Sequence, residues 1–132
     1  MNYCADTWFF LQIANQHPKA IAVWKEVKEG KGRLVVSTIV IAETIKQLLR
    51  KNLNKYIDPL SEAFGTSDKI ILIDVTKEIA EDAGRYAYGQ DMPTVDGVIL
   101  STAIKTDHTN VLSNDEHYKT AEKQKLVKRI FW

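Results

Sequence analysis

Four acidic residues stand where predicted strands end or predicted helices begin: Asp6, Glu43, Asp96 and Asp115. The carboxyl ends of parallel strands meet at one edge of a sheet, so acids at these positions are expected to converge although they are distant in the chain. Converging carboxylate oxygens are the ligands that hard cations such as Mg²⁺ prefer. The sequence therefore predicts a metal centre suited to chemistry on phosphate esters.

Three of these acids also have simpler structural explanations. Asp6 and Asp115 each precede a predicted helix, and taken alone each is better explained as an N-cap that accepts backbone N–H groups of the first turn. Glu43 lies away from the apolar stripe of its helix, so an ion pair with Lys46 one turn later explains it equally well. Asp91 lies close to Asp96 in the chain and could join the site, although a solvated loop aspartate is the simpler interpretation.

Asp96 is the acid that local structure explains least well. It falls in the first turn of a helix that Thr94 is expected to cap, on the same side as Leu100 and Ala103. That helix is apolar nearly all round, and a buried carboxylate without a partner costs several kcal/mol, on the order of 3–5. We therefore expect Asp96 to face a charged partner or a cation.

Short apolar runs alternate with longer stretches of helical periodicity, which indicates an α/β fold built on a parallel sheet. The third strand, with its continuous isoleucine-rich run, is expected to be buried on both faces. The helical region between the second and third strands is expected to break near Asn54. The predicted strands are Met1–Ala5, Arg33–Val36, Lys69–Ile73, Asn110–Leu112 and Leu126–Phe131. The predicted helices are Thr7–Gln16, Lys19–Glu29, Ile39–Asn52, Lys55–Phe64, Thr76–Tyr88, Thr94–Thr106 and a short one over His117–Lys123.

The length of 132 residues predicts one domain covering residues 1–132, and the charges nearly balance, with 18 Lys and Arg against 17 Asp and Glu. Cys4 is the only cysteine, which excludes an internal disulfide and a cysteine-rich zinc site. None of the three histidines has a second histidine or a cysteine at ligand spacing, so zinc is not expected. A cytoplasmic protein without a membrane segment is expected, since no secretory leader or long apolar stretch occurs.

Two stretches are basic and contain no acid. Lys46, Arg50, Lys51 and Lys55 belong to residues 44–57, and Lys123, Lys125, Lys128 and Arg129 belong to residues 123–132. Either stretch could meet a polyanion, and either could equally be an ordinary solvated face.

The acidic motifs, in their order and spacing, resemble those of the PIN domain family. The segments that carry the resemblance are Tyr3-Cys4-Ala5-Asp6-Thr7, Val40-Ile41-Ala42-Glu43-Thr44, Val95-Asp96-Gly97-Val98-Ile99-Leu100-Ser101-Thr102-Ala103 and Val111-Leu112-Ser113-Asn114-Asp115. The similarity is greatest to the small VapC-type toxins of toxin–antitoxin pairs, and it extends over essentially the whole chain.

This resemblance implies a three-layer α/β/α fold with a mainly parallel five-stranded sheet. It further implies that Asp6, Glu43, Asp96 and Asp115 hold Mg²⁺ or Mn²⁺, with ribonuclease activity, homodimers and inhibition by a small antitoxin protein. Thr7 and Ser113 stand at the positions of the family's accompanying hydroxyl residues, although a threonine is more usual at the latter. Gly97 also departs from the common pattern and is expected to add flexibility beside Asp96.

Two other α/β folds with an acidic pocket fit this sequence less well. A receiver-type signalling domain needs paired acids after the first strand, and Asp6 has no acidic neighbour. A haloacid-dehalogenase-type phosphatase needs an aspartate two residues after the first, where Trp8 stands. A free-standing RNA-processing nuclease and a PIN-like module that binds RNA or protein without cutting both remain as alternatives.

Overall fold

The computed structural model describes all 132 residues and is built around a five-stranded sheet in which every neighbouring pair is parallel. The strands are β1 (Asn2–Ala5), β2 (Arg33–Ser37), β3 (Ile70–Ile73), β4 (Asn110–Leu112) and β5 (Lys128–Ile130). Their order across the sheet is β3-β2-β1-β4-β5. The first strand in the chain is therefore central, and the residues that follow it lie between those that follow β2 and β4.

Seven α-helices connect and cover the strands, which gives the expected α/β/α arrangement. They are α1 (Thr7–Ala14), α2 (Pro18–Lys28), α3 (Thr38–Arg50), α4 (Ile57–Thr66), α5 (Lys77–Gln90), α6 (Thr94–Lys105) and α7 (Lys119–Lys123). Short 3₁₀ turns lie at Asn54–Tyr56 and Glu116–Tyr118. The first of these turns confirms the predicted break between two helices near Asn54.

Several helix ends differ from the predicted ones because single residues adopt left-handed backbone conformations. Gln16 and Asn52 have φ values of 60° and 57°, so α1 and α3 stop before reaching them. Asp91, with φ of 52°, ends α5 in the same way, after the helix has passed its predicted end at Tyr88. The periodicity of apolar side chains gives no sign of a single left-handed residue, so the predicted helix ends are imprecise.

The core lies in the middle of the sheet, where Leu34, Val35, Val36, Val111 and Leu112 are almost inaccessible to solvent. The prediction that the third strand is buried on both faces is wrong. β3 is an edge strand, and Leu72 within it is 37% exposed. An apolar run indicates a strand, but it does not reveal whether that strand lies in the middle of the sheet or at its edge.

The contact between α5 and α6 depends on Gly97. A Cβ atom added at Gly97 would lie 2.6 Å from the carbonyl oxygen of Ala83 and 3.2 Å from the Cβ of Ala87. The first distance is shorter than real Cβ contacts, so the backbones meet where no side chain fits. Gly97 therefore fixes the start of α6 against α5, contrary to the flexibility expected there.

None of the helices combines the length and the apolar composition needed to cross a bilayer.

Candidate metal centre

The fold brings the side chains of all four predicted acids to one open cleft of about 450 Å³ at the carboxyl edge of the sheet. Asp6 follows β1, Asp115 follows the adjacent β4, and Glu43 and Asp96 lie near the starts of α3 and α6. The cleft is lined by Asp6, Thr7, Trp8, Leu11, Glu43, Gln47, Asp96, Asn114 and Asp115. No lysine or arginine lies among these residues, so the lining carries no cation of its own.

Asp6 is the most deeply placed of the four, with 7% of its surface exposed. It is the N-cap of α1, as predicted from its position, because its Oδ1 accepts the N–H of Thr7 at 2.7 Å. Its Oδ2 accepts a second hydrogen bond from Ser113 Oγ, also at 2.7 Å. Capping therefore occupies one carboxylate oxygen, while the other is held across the sheet by the end of β4.

Ser113 connects Asp6 to Asp115. Besides donating to Asp6, its Oγ accepts the backbone N–H of Asp115 at 3.0 Å, and the side chain is fully buried. Asp115 in turn accepts the N–H of His117 at 2.9 Å, which is the cap that the sequence predicted. One buried hydroxyl thus sets the positions of two of the four acids.

Glu43 is held by α1 rather than by its own helix. Its Oε1 accepts a hydrogen bond from Thr7 Oγ1 at 3.1 Å, and it forms no ion pair with Lys46. The alternative explanation as a surface pair is therefore wrong. The bond to Thr7 turns Glu43 toward the same cleft as Asp6.

Asp96 lies in the first turn of α6 with 13% of its side chain exposed. The prediction that Thr94 caps this helix is wrong. Thr94 is already the first helical residue, and Pro93 precedes it without a side-chain cap. The partner of Asp96 is His117, whose Nδ1 lies 2.9 Å from Asp96 Oδ2. The same nitrogen lies 2.9 Å from Asp115 Oδ1.

The electrostatics of the cleft favour protonated acids or a bound cation. Burial raises the pKa of Asp6 to about 6, against the hydrogen bonds from Ser113 and Thr7, and the nearby Asp115 and Glu43 carboxylates raise it further. Burial, Asp115 and Asp6 likewise raise the pKa of Asp96 to about 7, although His117 opposes this. Desolvation lowers the pKa of His117, but Asp115 and Asp96 outweigh it and the net shift is upward.

These residues fit a hard divalent cation. Burial and neighbouring carboxylates raise the pKa of Asp6 and Asp96, no lysine or arginine lines the cleft, and oxygen donors from four chain positions suit Mg²⁺ or Mn²⁺. Asp91 is not among the residues that line the cleft; it is exposed and ends α5.

His117 is the residue that sequence reasoning missed. The sequence does not predict a role for it, because no other histidine or cysteine accompanies it at ligand spacing. The signal that could have found it is its position two residues after Asp115, within the turn that this acid caps.

The model of the PIN domain family matches residues 3–124 of this chain. The chain belongs to the PIN domain family. Solved structures agree in fold: the VapBC2 structure from Rickettsia felis, bound to a DNA fragment from its promoter, superposes with a TM-score of 0.73 at 18% identity, covering 100% of this chain and 99% of the other.

Two further solved structures are also similar to this chain in fold. VapC20 from Mycobacterium tuberculosis, described as a toxin that cleaves the sarcin-ricin loop, gives a TM-score of 0.72 at 20% identity, covering 90% of this chain and 94% of that one. A toxin–antitoxin complex from Klebsiella pneumoniae gives 0.65 at 14% identity, with coverages of 88% and 89%. These likenesses show the PIN fold. A comparison with curated protein sequences gives no significant match.

Proposed function

We propose that this PIN-domain chain is a Mg²⁺-dependent endoribonuclease that hydrolyses RNA phosphodiester bonds and acts as the toxin of a VapBC-type pair. The observation that carries the proposal is the cleft in which Asp6, Glu43, Asp96 and Asp115 converge without a lysine or arginine among them. Family membership and the VapC-type neighbours support the same reading.

Asp6 and Asp96 are proposed as the main metal ligands, and Glu43 and Asp115 complete the site or orient the attacking water. A bound Mg²⁺, or Mn²⁺ in its place, supplies charge neutralisation at the phosphate and lowers the pKa of water. Asp6 suits ligation because Ser113 and Thr7 hold its carboxylate in one orientation. Asp96 suits it because it is ionisable, shielded and open to the cleft on one side.

Thr7 and Ser113 are proposed as positioning residues. Each hydroxyl hydrogen-bonds to an acid that follows a different strand, Thr7 to Glu43 and Ser113 to Asp6. These bonds hold mutually repelling carboxylates in place before a cation arrives, and such support shapes the affinity of metal sites.

The exposed basic residues Lys46, Arg50 and Lys51 are proposed to guide the RNA backbone toward the cleft. Gln47 lines the cleft, and Arg50 lies one turn further along the same face of α3. Contacts of this kind supply affinity without sequence choice. The second basic stretch suits this role less, because the guanidinium of Arg129 is bonded to Glu122.

The proposal extends to partners and organisation. The neighbours described as toxin–antitoxin assemblies support a small antitoxin protein as a partner of this chain. A homodimer, a single domain over residues 1–132 and a cytoplasmic location belong to the same proposal.

RNA cleavage by purified protein tests it. A labelled RNA panel should be cut in Mg²⁺ and left intact in EDTA, and Asp96→Asn should lose at least about 100-fold of the rate while keeping its fold. Asp91→Asn is the matched control, because it makes the same exchange at an exposed position outside the cleft. Full activity of Asp96→Asn would contradict the proposal, and RNA binding without cleavage by the wild type would favour the non-catalytic alternative.

A further inference from the structure

We infer that His117 is a ligand of the bound divalent cation through Nδ1, so that the centre has mixed nitrogen and oxygen donors. The inference rests on the proposed metal site and deepens it. It is supported by the short distances from one imidazole nitrogen to two carboxylate oxygens that belong to different elements of the fold.

The distances are those expected between neighbouring ligands of one ion. Nδ1 of His117 lies 2.9 Å from Asp96 Oδ2 and 2.9 Å from Asp115 Oδ1. In an octahedral site with bonds of about 2.1 Å, adjacent ligand atoms are about 3.0 Å apart. One donor atom from each of the three residues lies within 4.8 Å of the other two, as donors around one cation must.

Hydrogen bonding accounts for only part of this arrangement. A ring nitrogen carries at most one hydrogen, yet two carboxylate oxygens lie equally close to the same Nδ1. A neutral imidazole with its hydrogen on Nε2 instead presents the Nδ1 lone pair, which is the form that binds metals. The cation then replaces the shared hydrogen as the group that all three donors contact.

The local structure holds His117 in place for this role. Asp115 accepts its backbone N–H, and the next residue, Tyr118, is fully buried and anchors the turn. The side chain of His117 itself is 50% exposed, so a hydrated ion can reach it. It is the one imidazole in contact with acids of the cleft, since His17 stacks on Trp132 and His108 is buried against Thr106.

A nitrogen ligand changes which cations the site prefers. Imidazole binds first-row transition metals readily, whereas Mg²⁺ prefers oxygen. Loss of His117 should therefore weaken Mn²⁺ binding by about tenfold or more and Mg²⁺ binding by less.

Pulsed electron paramagnetic resonance of the Mn²⁺ complex tests the inference directly, because electron spin echo envelope modulation detects a coordinated nitrogen. The full-length protein is loaded with Mn²⁺ alone, once at natural isotope abundance and once with nitrogen-15 histidine. His117→Asn is the test variant, since an amide can still hydrogen-bond to the carboxylates. His17→Asn is the matched control, because His17 caps α2 and asparagine caps helices well.

We expect strong modulation from a coordinated nitrogen that changes on histidine labelling, persists in His17→Asn and disappears in His117→Asn. The inference is overturned if the wild type binds Mn²⁺ without coupling to a histidine nitrogen, or if the coupling survives in His117→Asn. Those outcomes leave the proposed nuclease standing. A complete lack of Mn²⁺ binding by the wild type would instead overturn the metal-dependent function together with this inference.

Discussion

Replacing Asp6 by asparagine should stabilise the metal-free protein at neutral pH although it removes a proposed metal ligand. Asp6 is 7% exposed, and burial is the main cause that raises its pKa to about 6. The folded protein therefore ionises this carboxyl at a cost that an unfolded chain does not bear. Asparagine has nearly the same shape and cannot ionise, so it removes that cost.

The sign and size follow from the two pKa values. Because the pKa in the folded state lies above the reference value of 3.8, the folded protein holds more protons between about pH 4 and pH 6. The stability that this group contributes is fully present below that window and is lost as the pH rises through it. At roughly 1.4 kcal/mol for each pH unit, the loss is about 3 kcal/mol.

Urea unfolding followed by tryptophan fluorescence in EDTA measures this loss. Between about pH 3 and pH 7.5, the free energy of unfolding of Asp6→Asn should rise relative to wild type by about 3 kcal/mol, whatever constant change the substitution brings. Asp91→Asn is the control, since an exposed left-handed residue outside the cleft tolerates asparagine and should keep the wild-type pH profile.

Added Mg²⁺ should reverse the ranking at neutral pH. At a concentration one thousand times its Kd, a ligand stabilises the folded state by about 4.1 kcal/mol, which exceeds the advantage of Asp6→Asn, and only the wild type should gain this. Parallel pH profiles for wild type and Asp6→Asn would refute the reasoning, because they would mean that the buried carboxylate ionises as easily in the fold as in water.

Substitutions at Ser113, Arg50 and Gly97 test the support of Asp6, the proposed RNA path and the packing of α6 on α5. Ser113→Ala should weaken Mg²⁺ binding by about tenfold in calorimetry, because the carboxylate of Asp6 loses its buried hydrogen bond. Ser113→Thr should restore the affinity, and equal affinities for Ser113→Ala and wild type would contradict this. Arg50→Glu, in the Asp96→Asn background so that RNA is not cut, should weaken RNA binding and reduce its salt slope by about 0.7 for each lost phosphate contact; an unchanged slope would argue against the proposed path. Gly97→Ala should lower the free energy of unfolding by about 1–3 kcal/mol, whereas Gly84→Ala, where an added Cβ meets nothing within 4 Å, should raise it.

The sequence predicted five strands in order, and the sheet confirms them because alternating apolar runs and helical periods are local signals. The convergence of Asp6, Glu43, Asp96 and Asp115 on one cleft was expected from a topological rule, since carboxyl ends of parallel strands share an edge. The roles of these acids stay predictions until metal binding and cleavage are measured.

Contacts between distant residues were less accessible from the sequence. The exposure of Leu72 depends on β3 lying at the edge, which follows from the crossover order rather than from the strand itself. The bonds from Ser113 to Asp6 and from Thr7 to Glu43 join residues 107 and 36 positions apart. No local periodicity carries such information, and the same is true of the approach of His117 to Asp96.

Diffraction from crystals soaked in Mn²⁺, measured for anomalous scattering, tests the central claim most directly. We expect an anomalous peak in the cleft within about 2.2 Å of carboxylate oxygens of Asp6 and Asp96, and no such peak in crystals of Asp96→Asn. A wild-type crystal that shows no peak in the cleft at saturating Mn²⁺, or binds the ion only elsewhere, would contradict the account.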